Sequence, residues 1–185
     1  MTRDTDGDAR PGASVLFVCL GNICRSTMAE GVFQKIVKFG TPDQSPLIKH
    51  VDSCGTGAYH AGDSPDSRTM RVLRQNGITD YQHAARKVRV PDDFRDFDYL
   101  LAMDRDNYDD LRDMVKRAEK RGLLGDEALK KVHLYGEFGG KSKKEEIGDP
   151  YYGGNEGFTT AYEQVVRCGE GLLKHIEEQA KKQED

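Results

Sequence analysis

The stretch Val15-Leu-Phe-Val-Cys-Leu-Gly-Asn-Ile-Cys-Arg-Ser-Thr27 contains an apolar run, a short loop and the start of a helix in direct succession. Residues 15–18 are continuously apolar and rich in β-branched residues, which predicts a strand buried on both faces of a parallel sheet. Beyond Thr27, apolar residues recur at helical spacing, which predicts a helix that ends near Gly40. A parallel strand leading directly into a helix is the building unit of α/β folds, so this stretch sets the fold class.

The rest of the chain continues this alternation of strands and helices. Short apolar runs predict three further strands, at residues 47–51, 99–103 and 132–135. Helical signals predict three further helices, at residues 64–77, 107–121 and 158–182. Small or glycine-rich residues predict loops at 52–57 and 136–144, and we expect the second loop to be mobile. We therefore predict an α/β fold, a three-layer sandwich with a central four-stranded parallel sheet flanked by helices.

Length and charge limit the organisation of the chain. A length of 185 residues is that of one domain with a single core, which we place at residues 13–182. Residues 1–12 are polar and charged, and we expect them to form a disordered tail. Lys and Arg total 28 against 32 Asp and Glu, and the resulting charge of −4 is spread along the chain. Because no basic stripe is present, we expect no nucleic-acid partner.

Apolar runs and cysteines indicate where the protein works. No apolar run is long enough to span a bilayer, and the first dozen residues lack the apolar core of a signal peptide. We therefore expect a cytoplasmic protein without a membrane partner, as a monomer or weak homodimer. The cysteines at positions 19, 24, 54 and 168 form no Cys-x-x-Cys pair for zinc and are too few for a disulfide scaffold. We predict no metal and no cofactor, and a reducing compartment suits these thiols.

The loop of the opening stretch has the composition of an anion-binding site. Gly21 and Asn22 are the residue types that most readily take left-handed backbone angles, so the loop can turn its amides inward. Inward amides and the positive end of the following helix together favour a tetrahedral oxyanion such as phosphate. Thr27 and Glu30 have the spacing of a capping box for that helix. The chain contains no Gly-Lys-Ser/Thr triplet, so the loop is not of the nucleotide-binding type.

Two side chains of this loop, Arg25 and Cys19, indicate anion binding and nucleophilic catalysis. Arg25 offers a planar, charged fork for two anion oxygens. Cys19 lies where the amides, the helix end and the guanidinium would stabilise a thiolate, and a thiolate in such a site is a nucleophile at neutral pH. Ser26 can donate a hydrogen bond to its sulfur. The alternative interpretation is that Cys19 and Cys24 are small core residues beside a buried strand.

A thiolate that displaces a phosphoryl oxygen needs a second catalytic group. An acid must protonate the leaving group, and a base must later activate water against the phosphocysteine. Asp149, in Asp149-Pro-Tyr-Tyr152, is the candidate for both steps, because the proline stiffens its loop and the tyrosines can wall a pocket. Taken alone, Asp-Pro is a turn signal. Tyr59 is as compatible with a surface tyrosine as with a wall of a substrate pocket.

The segments Cys19-Leu-Gly-Asn-Ile-Cys-Arg-Ser26 and Asp149-Pro-Tyr-Tyr152 together resemble the two signatures of the low-molecular-weight protein tyrosine phosphatases. Shorter segments between them resemble family segments in the same order, among them Ser64-Pro-Asp-Ser-Arg68 and His83-Ala-Ala-Arg86. The resemblance extends from about Val15 to the C-terminal helix. The first dozen residues and the segment from residue 122 to 144 lie outside the pattern.

This resemblance implies an enzyme that hydrolyses phosphotyrosine in proteins, and small aryl phosphates as an acid phosphatase, through a phosphocysteine intermediate. It implies that Cys19 is the nucleophile, that Arg25 binds the phosphate and that Asp149 is the general acid and base. It further implies that loop residues and aromatic walls hold the substrate, namely Leu20, Gly21, Asn22, Ile23, Cys24, Ser26, Tyr59, Tyr151 and Tyr152. Ser53 and His83 would support the shape of the loop. Cys24 would form a reversible disulfide with the nucleophile and protect it from overoxidation.

The sequence leaves three other functions open. A thiol-dependent arsenate reductase resembles this fold and loop but needs further cysteines as a relay, and Cys54 and Cys168 are far apart in the sequence. A phosphoarginine phosphatase resembles the family with threonine where Ile23 stands, so the apolar Ile23 favours phosphotyrosine. A non-enzymatic module that binds phosphopeptides would not need Cys19 and Asp149 together.

Overall fold

The computed structural model describes residues 11–184. Most of the predicted tail at residues 1–12 lies outside the described residues, so its disorder stays a prediction. The strands are β1 Ala13–Cys19, β2 Ile48–Gly55, β3 Tyr99–Ala102 and β4 Val132–Leu134. The α-helices are α1 Arg25–Ile36, α2 Ser67–Gln75, α3 Asp92–Asp96, α4 Arg105–Lys120 and α5 Asn155–Glu184. Short 3₁₀ helices at Asp126–Lys131 and Tyr135–Glu137 flank β4.

The four strands form one parallel sheet in the order β2-β1-β3-β4. The side chains of β1 alternate between two apolar clusters, with Phe17 in one and Val18 in the other, and both residues are fully buried. A central strand that is covered on both faces must be apolar throughout, which explains the uninterrupted run in the sequence. The predicted α/β fold with a central four-stranded parallel sheet is confirmed.

Helices cover both faces of the sheet. On one face α1, α2 and α5 contribute Phe33, Leu73 and Phe158 to the cluster that contains Phe17. On the other face α3 and α4 contribute Phe94 and Leu111 to the second cluster. None of the helices within residues 11–184 combines the length and the apolar character that crossing a membrane requires. Because parallel strands all end at one edge, the loops that follow β1, β2 and β3 meet there.

Two local predictions near the opening stretch are wrong. Strand β2 extends to Gly55 rather than ending at residue 51, because the residues predicted as a loop continue the pairing with β1. The predicted capping box is absent, since α1 begins at Arg25 and its Cys24 cap makes no side-chain hydrogen bond. Thr27 therefore lies inside the first turn, where its hydroxyl donates to the carbonyl of Cys24 at 3.0 Å.

Later segments also differ from the sequence pattern. Helix α2 is capped by Asp66 rather than Ser64, because the Asp66 carboxylate accepts a hydrogen bond from the amide of Arg68 at 2.8 Å. The short helix α3 gave no periodic signal. The predicted mobile loop at residues 136–144 is tied down at its end, where Arg167 donates to the carbonyl of Gly139 (2.7 Å) and to the carboxylate that follows the loop (2.8 Å).

Candidate active site

The loop between β1 and α1 turns its carbonyls outward. The carbonyls of Cys19 and Leu20 accept hydrogen bonds from the amides that follow β2, at 2.9 and 3.0 Å. The carbonyl of Ile23 accepts from the amide that precedes α2, at 2.8 Å. No backbone carbonyl within residues 11–184 accepts from the amides of residues 20–25. These amides and the first turn of α1 therefore form a concave set of free donors, as the sequence predicted.

Asn22 holds the shape of this loop from behind. Its φ of 58° lies in the left-handed region, which asparagine tolerates better than most residues. Its side-chain amide donates to the hydroxyls of Ser26 (2.8 Å) and Ser53 (3.0 Å). Its carbonyl oxygen accepts from the amide of Arg86 (3.0 Å) and lies 2.7 Å from Nε2 of His83. The structure thus brings the two predicted supporting residues, Ser53 and His83, to the loop.

Glycines permit two close approaches around the loop. A Cβ on Gly55 would lie 2.6 Å from the carbonyl oxygen of Leu20 and 3.2 Å from the amide nitrogen of Asn22, so a side chain there would displace the loop. Gly21, unlike Asn22, does not take a positive φ. Instead it leaves room for the ring of His60, whose Cδ2 would lie 3.0 Å from an added Cβ.

Cys19 lies at the floor of the site, with only 3% of its surface exposed. Its Sγ is 3.1 Å from Oγ of Ser26. Because that hydroxyl oxygen already accepts a hydrogen bond from Asn22, its own proton is free to point at the sulfur. The second loop cysteine behaves differently, since burial and the nearby carboxylate of Asp66 raise the pKa of Cys24 to about 12. Cys24 is therefore a neutral thiol at physiological pH.

Arg25 is almost completely buried and is oriented by three groups. One guanidinium nitrogen donates to Asp104 (2.5 Å) and to the carbonyl of Ile147 (3.0 Å). The other nitrogen is 3.6 Å from the carboxylate of Asp149. Burial alone would lower the pKa of Arg25, but its interactions with Cys19 and Asp104 outweigh burial and raise that pKa. The guanidinium remains charged beside the sulfur.

The mouth of the site is formed by tyrosines and by Asp149. The Asp149 side chain is 33% exposed, and its carboxylate accepts from the amide of Tyr151 at 3.1 Å. The rings of Tyr151 and Tyr152 meet edge to face at 4.9 Å between centroids. Arg68 donates to the carbonyl of Tyr151 (3.2 Å) and holds this loop against α2. Tyr59, on the opposite side, is 78% exposed and Tyr152 is 86% exposed.

One pocket of about 400 Å³ joins the floor to the mouth, a volume typical of sites for small molecules. It is lined by Cys19, Leu20, Gly21, Ile23, Cys24, Arg25, Tyr59, His60, Asp149, Tyr151 and Tyr152. The structure therefore brings the three predicted catalytic residues and the three predicted wall tyrosines to one place. Of the predicted binding residues, Asn22 and Ser26 do not line the pocket. The Asn22 carboxamide lies behind the loop, and the Ser26 hydroxyl contacts the Asn22 side chain and the sulfur of Cys19.

The sequence reasoning missed three residues of this site. Asp104 directly follows the strand predicted at residues 99–103, but the sequence did not identify it as the partner of Arg25. His60 lines the pocket beside Tyr59, and Arg68 orders the Tyr151 loop. Arg68 lies in the segment Ser64-Pro-Asp-Ser-Arg68 that resembles the family, but no role was assigned to it, and His60 has no sequence signal beyond its proximity to Tyr59. Arg68 acts on a segment that is distant along the chain.

Three side chains behind the loop, Glu30, Asp52 and His83, have potential ligand atoms within 4.8 Å of one another. Several of their atoms contact other protein groups, whereas Oε2 of Glu30 is buried without a hydrogen-bond partner within residues 11–184. Arg86 pairs with Asp52 at 2.9 Å, and Nδ1 of His83 lies 3.4 Å from Glu30 while its Nε2 faces Asn22. These contacts place the cluster behind the loop, where it supports Asn22 through His83.

Comparison with known proteins agrees with this geometry. The family model described as low molecular weight phosphotyrosine protein phosphatase matches residues 14–183. The low molecular weight phosphotyrosine protein phosphatase of Schizosaccharomyces pombe is 45% identical over 163 residues, which cover 88% of this chain and 96% of the relative. A crystal structure of a protein tyrosine phosphatase from Entamoeba histolytica superposes with a TM-score of 0.76 at 35% identity, covering 91% of this chain and 99% of the other.

A second solved structure is that of a phosphatase with a different named substrate. The crystal structure of an arginine phosphatase from drosophila superposes with a TM-score of 0.72 at 34% identity, covering 88% of this chain and 96% of the other. The fold is therefore shared by phosphatases named for different substrates, whereas the match over residues 14–183 is to the phosphotyrosine phosphatase model. The chain belongs to the low molecular weight phosphotyrosine protein phosphatase family.

Proposed function

We propose that this protein hydrolyses phosphotyrosine in proteins, and small aryl phosphates, through a phosphocysteine intermediate. One observation carries the proposal. The sulfur of Cys19 lies at the floor of a pocket ringed by free amides, with the Arg25 guanidinium beside it and the Asp149 carboxylate at its mouth. A binding module would need the amides and the arginine but would have no use for a sulfur and a carboxylate on opposite sides of the bound phosphate.

In the first step, the Cys19 thiolate attacks phosphorus. The S–P bond forms while the P–O bond to the aryl group breaks, and Asp149 gives its proton to the departing phenolate oxygen. The amides of residues 20–25 and the Arg25 fork are fixed before substrate arrives, so they can stabilise charge on the three equatorial oxygens without reorganisation. The contacts of Arg25 with Asp104 and with the Ile147 carbonyl set the orientation of that fork.

In the second step, water attacks the phosphocysteine. Asp149, now a carboxylate, takes a proton from the water as the O–P bond forms and the S–P bond breaks. The sulfur leaves as a thiolate, and the Ser26 hydroxyl at 3.1 Å can donate a hydrogen bond to it. Inorganic phosphate departs, and Asp149 is again protonated for the next turnover. This cycle consumes no cofactor.

The pocket walls support a preference for aryl substrates. The apolar Ile23 side chain and the tyrosine rings of the mouth can contact the two faces of a flat ring, whereas the sulfur is nearly inaccessible from the surface. Phosphoserine is too short to span this depth. Arginine phosphate is the competing substrate, since an arginine phosphatase shares the fold. The apolar Ile23 favours the aryl substrate because it offers the guanidinium of phosphoarginine no hydrogen-bond partner.

The proposal includes the cellular compartment, the partners and the oligomeric state of the enzyme. All four cysteines are unpaired thiols, and a reducing cytoplasm would keep Cys19 active. We propose phosphotyrosine-containing proteins as partners, and no nucleic acid or membrane, with the chain acting as a monomer or weak homodimer. Cys24 would act as a reversible redox partner of Cys19, since both cysteines line the same pocket.

The test is hydrolysis of p-nitrophenyl phosphate and of matched phosphotyrosine, phosphoserine and phosphoarginine peptides in reductant. Wild type should hydrolyse the aryl phosphate and the phosphotyrosine peptide, and Cys19→Ser should be inactive on both. Cys168→Ala is a matched control, because Cys168 is also a buried thiol but lies in α5 away from the pocket. Retained activity in Cys19→Ser, or a preference for phosphoarginine over phosphotyrosine, would contradict the proposal.

A further inference from the structure

A second groove of about 580 Å³ runs alongside the proposed catalytic pocket. The two share Leu20, Arg25, Asp149 and Tyr152, so they are separated only by the rim of the catalytic pocket. A ligand bound with its phosphate over Cys19 could therefore extend from the catalytic pocket into this second groove. Apart from the shared rim, the groove is lined by Asp104 and by residues from the first turns of α4.

We call the part of this groove formed by Asp106, Asn107, Asp109 and Asp110 the acidic groove. Asp106, Asp109 and Asp110 are exposed and form no salt bridge with any residue of the described part of the chain. Asp104 differs from them, because it is already paired with Arg25 and caps α4. Three carboxylates of the groove thus have no salt-bridge partner within residues 11–184.

The two arginines of α4 that flank the acidic groove form no salt bridge with its carboxylates within residues 11–184. Arg105 and Arg112 both stack on the ring of Tyr108, with their guanidinium carbons 5.2 and 5.4 Å from its centroid. The remaining basic residues of α4 begin at Lys116, toward the far end of the helix. The negative charge is therefore concentrated at the end of α4 that faces the catalytic pocket.

Asn107 provides an independent indication of a ligand. It lines the groove, only 3% of its surface is exposed, and its Oδ1 is buried without a hydrogen-bond partner within residues 11–184. A buried acceptor that lacks a donor is uncommon in folded proteins, because leaving it unpaired is unfavourable. The missing group must be a hydrogen-bond donor, and the surrounding carboxylates favour a positively charged one.

An anionic groove beside a phosphate site is unfavourable for phosphate binding taken alone. A phosphate monoester is anionic, and like charges within about one Debye length, roughly 10 Å at 0.1 M salt, repel it. A substrate that carries a cation next to its phosphate would reverse this effect, since the cation would contact the carboxylates while the phosphate contacts the loop amides. The protein therefore has carboxylates beside a phosphate site, and this arrangement matches a substrate that has a cation beside its phosphate.

We propose that the acidic groove binds a lysine or arginine side chain that lies close to phosphotyrosine in the substrate, so that the enzyme selects basic phosphotyrosine sites. This inference rests on the proposed function and specifies its substrate class. The carboxylates of Asp106, Asp109 and Asp110 accept hydrogen bonds from the ammonium or guanidinium, and Oδ1 of Asn107 is the neutral acceptor at the base of the groove.

The test compares three phosphotyrosine peptides that differ only in the two residues that flank the phosphotyrosine. Both flanking residues are Arg in the first peptide, Gln in the second and Glu in the third. Wild type should favour an Arg peptide over the matching Glu peptide by about tenfold in kcat/KM at low salt, the sum of several exposed ion pairs. The preference should shrink as ionic strength rises. It should fall to about twofold in Asp109→Asn/Asp110→Asn.

Two controls separate the groove from the chemistry. Glu119→Gln removes an equivalent exposed charge about 13 Å further along α4, at 1.5 Å per residue, and should leave the Arg preference at its wild-type value. Hydrolysis of p-nitrophenyl phosphate, which carries no flanking residue, should be unchanged or slightly faster in the double variant.

The outcomes distinguish the inference from the function on which it rests. If wild type hydrolyses aryl phosphate but treats the Arg, Gln and Glu peptides alike, the inference is overturned and the proposed function stands. The same holds if the preference is present but survives in the double variant. If wild type hydrolyses neither the aryl phosphate nor any peptide, both are overturned.

Discussion

The anion-binding loop and the mouth of the pocket lie at the same edge of the sheet but are held in different ways. The side chains of Asn22, Arg25 and Ser26 are almost fully buried, and each makes hydrogen bonds to the protein. At the mouth, Tyr59 and Tyr152 are mostly exposed to solvent. The groups that we propose to bind phosphate are therefore preorganised, whereas the surface that we propose to contact the rest of the substrate is lightly constrained.

A variant of Asp149 tests whether catalytic groups are confined to the buried loop, because Asp149 is a partly exposed residue of the mouth with a proposed catalytic role. We expect Asp149→Asn to lower kcat by about 10²–10⁴-fold, the usual contribution of a general acid and base. The loss should be larger for phenyl phosphate than for p-nitrophenyl phosphate, since the poorer leaving group depends more on the proton. Asp113→Asn, on α4, serves as the control. An unchanged rate would remove Asp149 from the mechanism.

Arg25 tests the buried side of the comparison. A lysine keeps the charge but cannot supply the bidentate fork, so we expect Arg25→Lys to lower kcat/KM by about 10²–10³-fold. Inhibition by inorganic phosphate should weaken as well, because the product is held by the same fork. Arg71→Lys, at an exposed position on α2, is the matched control. Wild-type kinetics in Arg25→Lys would show that the fork is not needed.

Asn22 tests the support behind the loop. Removing its carboxamide leaves buried partners of the network unsatisfied, so we expect Asn22→Ala to lower the free energy of unfolding by about 1–3 kcal/mol. A displaced loop should also lower kcat/KM. Asn22→Gly tolerates the positive φ but lacks the hydrogen bonds, so urea unfolding of both variants separates backbone strain from lost contacts. Equal stability of wild type and Asn22→Gly would show that the hydrogen bonds contribute nothing.

Tyr152 tests the exposed wall. Its ring contacts Tyr151 and little else that would fix it, so its contribution should be confined to holding the substrate. We expect Tyr152→Ala to raise KM for a phosphotyrosine peptide about two- to tenfold, which corresponds to the ~0.5–1.5 kcal/mol of an aromatic pair, with little change in kcat. A loss in kcat comparable to that of Asp149→Asn would mean that the wall takes part in the chemistry.

Replacing Cys24 should have the smallest effect on turnover under reducing conditions. With its pKa raised to about 12 by burial and by Asp66, it carries no charge at pH 7 and does not compete with Cys19. We expect Cys24→Ser to lower kcat/KM less than about threefold in reductant. After peroxide treatment, thiol should restore the activity of wild type but not that of Cys24→Ser, because the variant cannot form the protective disulfide. Equal recovery of the two would contradict the redox role.

The local spacing of residues in the sequence was sufficient to predict the fold class and the half of the site that contains Cys19 and Arg25. A buried parallel strand must be apolar throughout, and a strand, loop and helix that are continuous in the chain stay together in space. Residues 15–27 by themselves therefore predicted the central strand, the free amides and the placement of Cys19 and Arg25. The capping box failed because α1 begins at Arg25, earlier than the pattern indicated, so Thr27 became a residue of the first turn.

The other half of the site depended on tertiary structure. The sequence named Asp149 as a candidate, but only the packing of the sheet and α5 brings its carboxylate to 3.6 Å from Arg25. The pairing of Arg25 with Asp104 likewise joins segments that are far apart along the chain, and so does the position of the acidic groove beside the catalytic pocket. Sequence determines the features that depend on neighbouring residues and their period. The meeting of distant loops is decided by the order of the strands, because that order places the ends of β1 and β3 side by side.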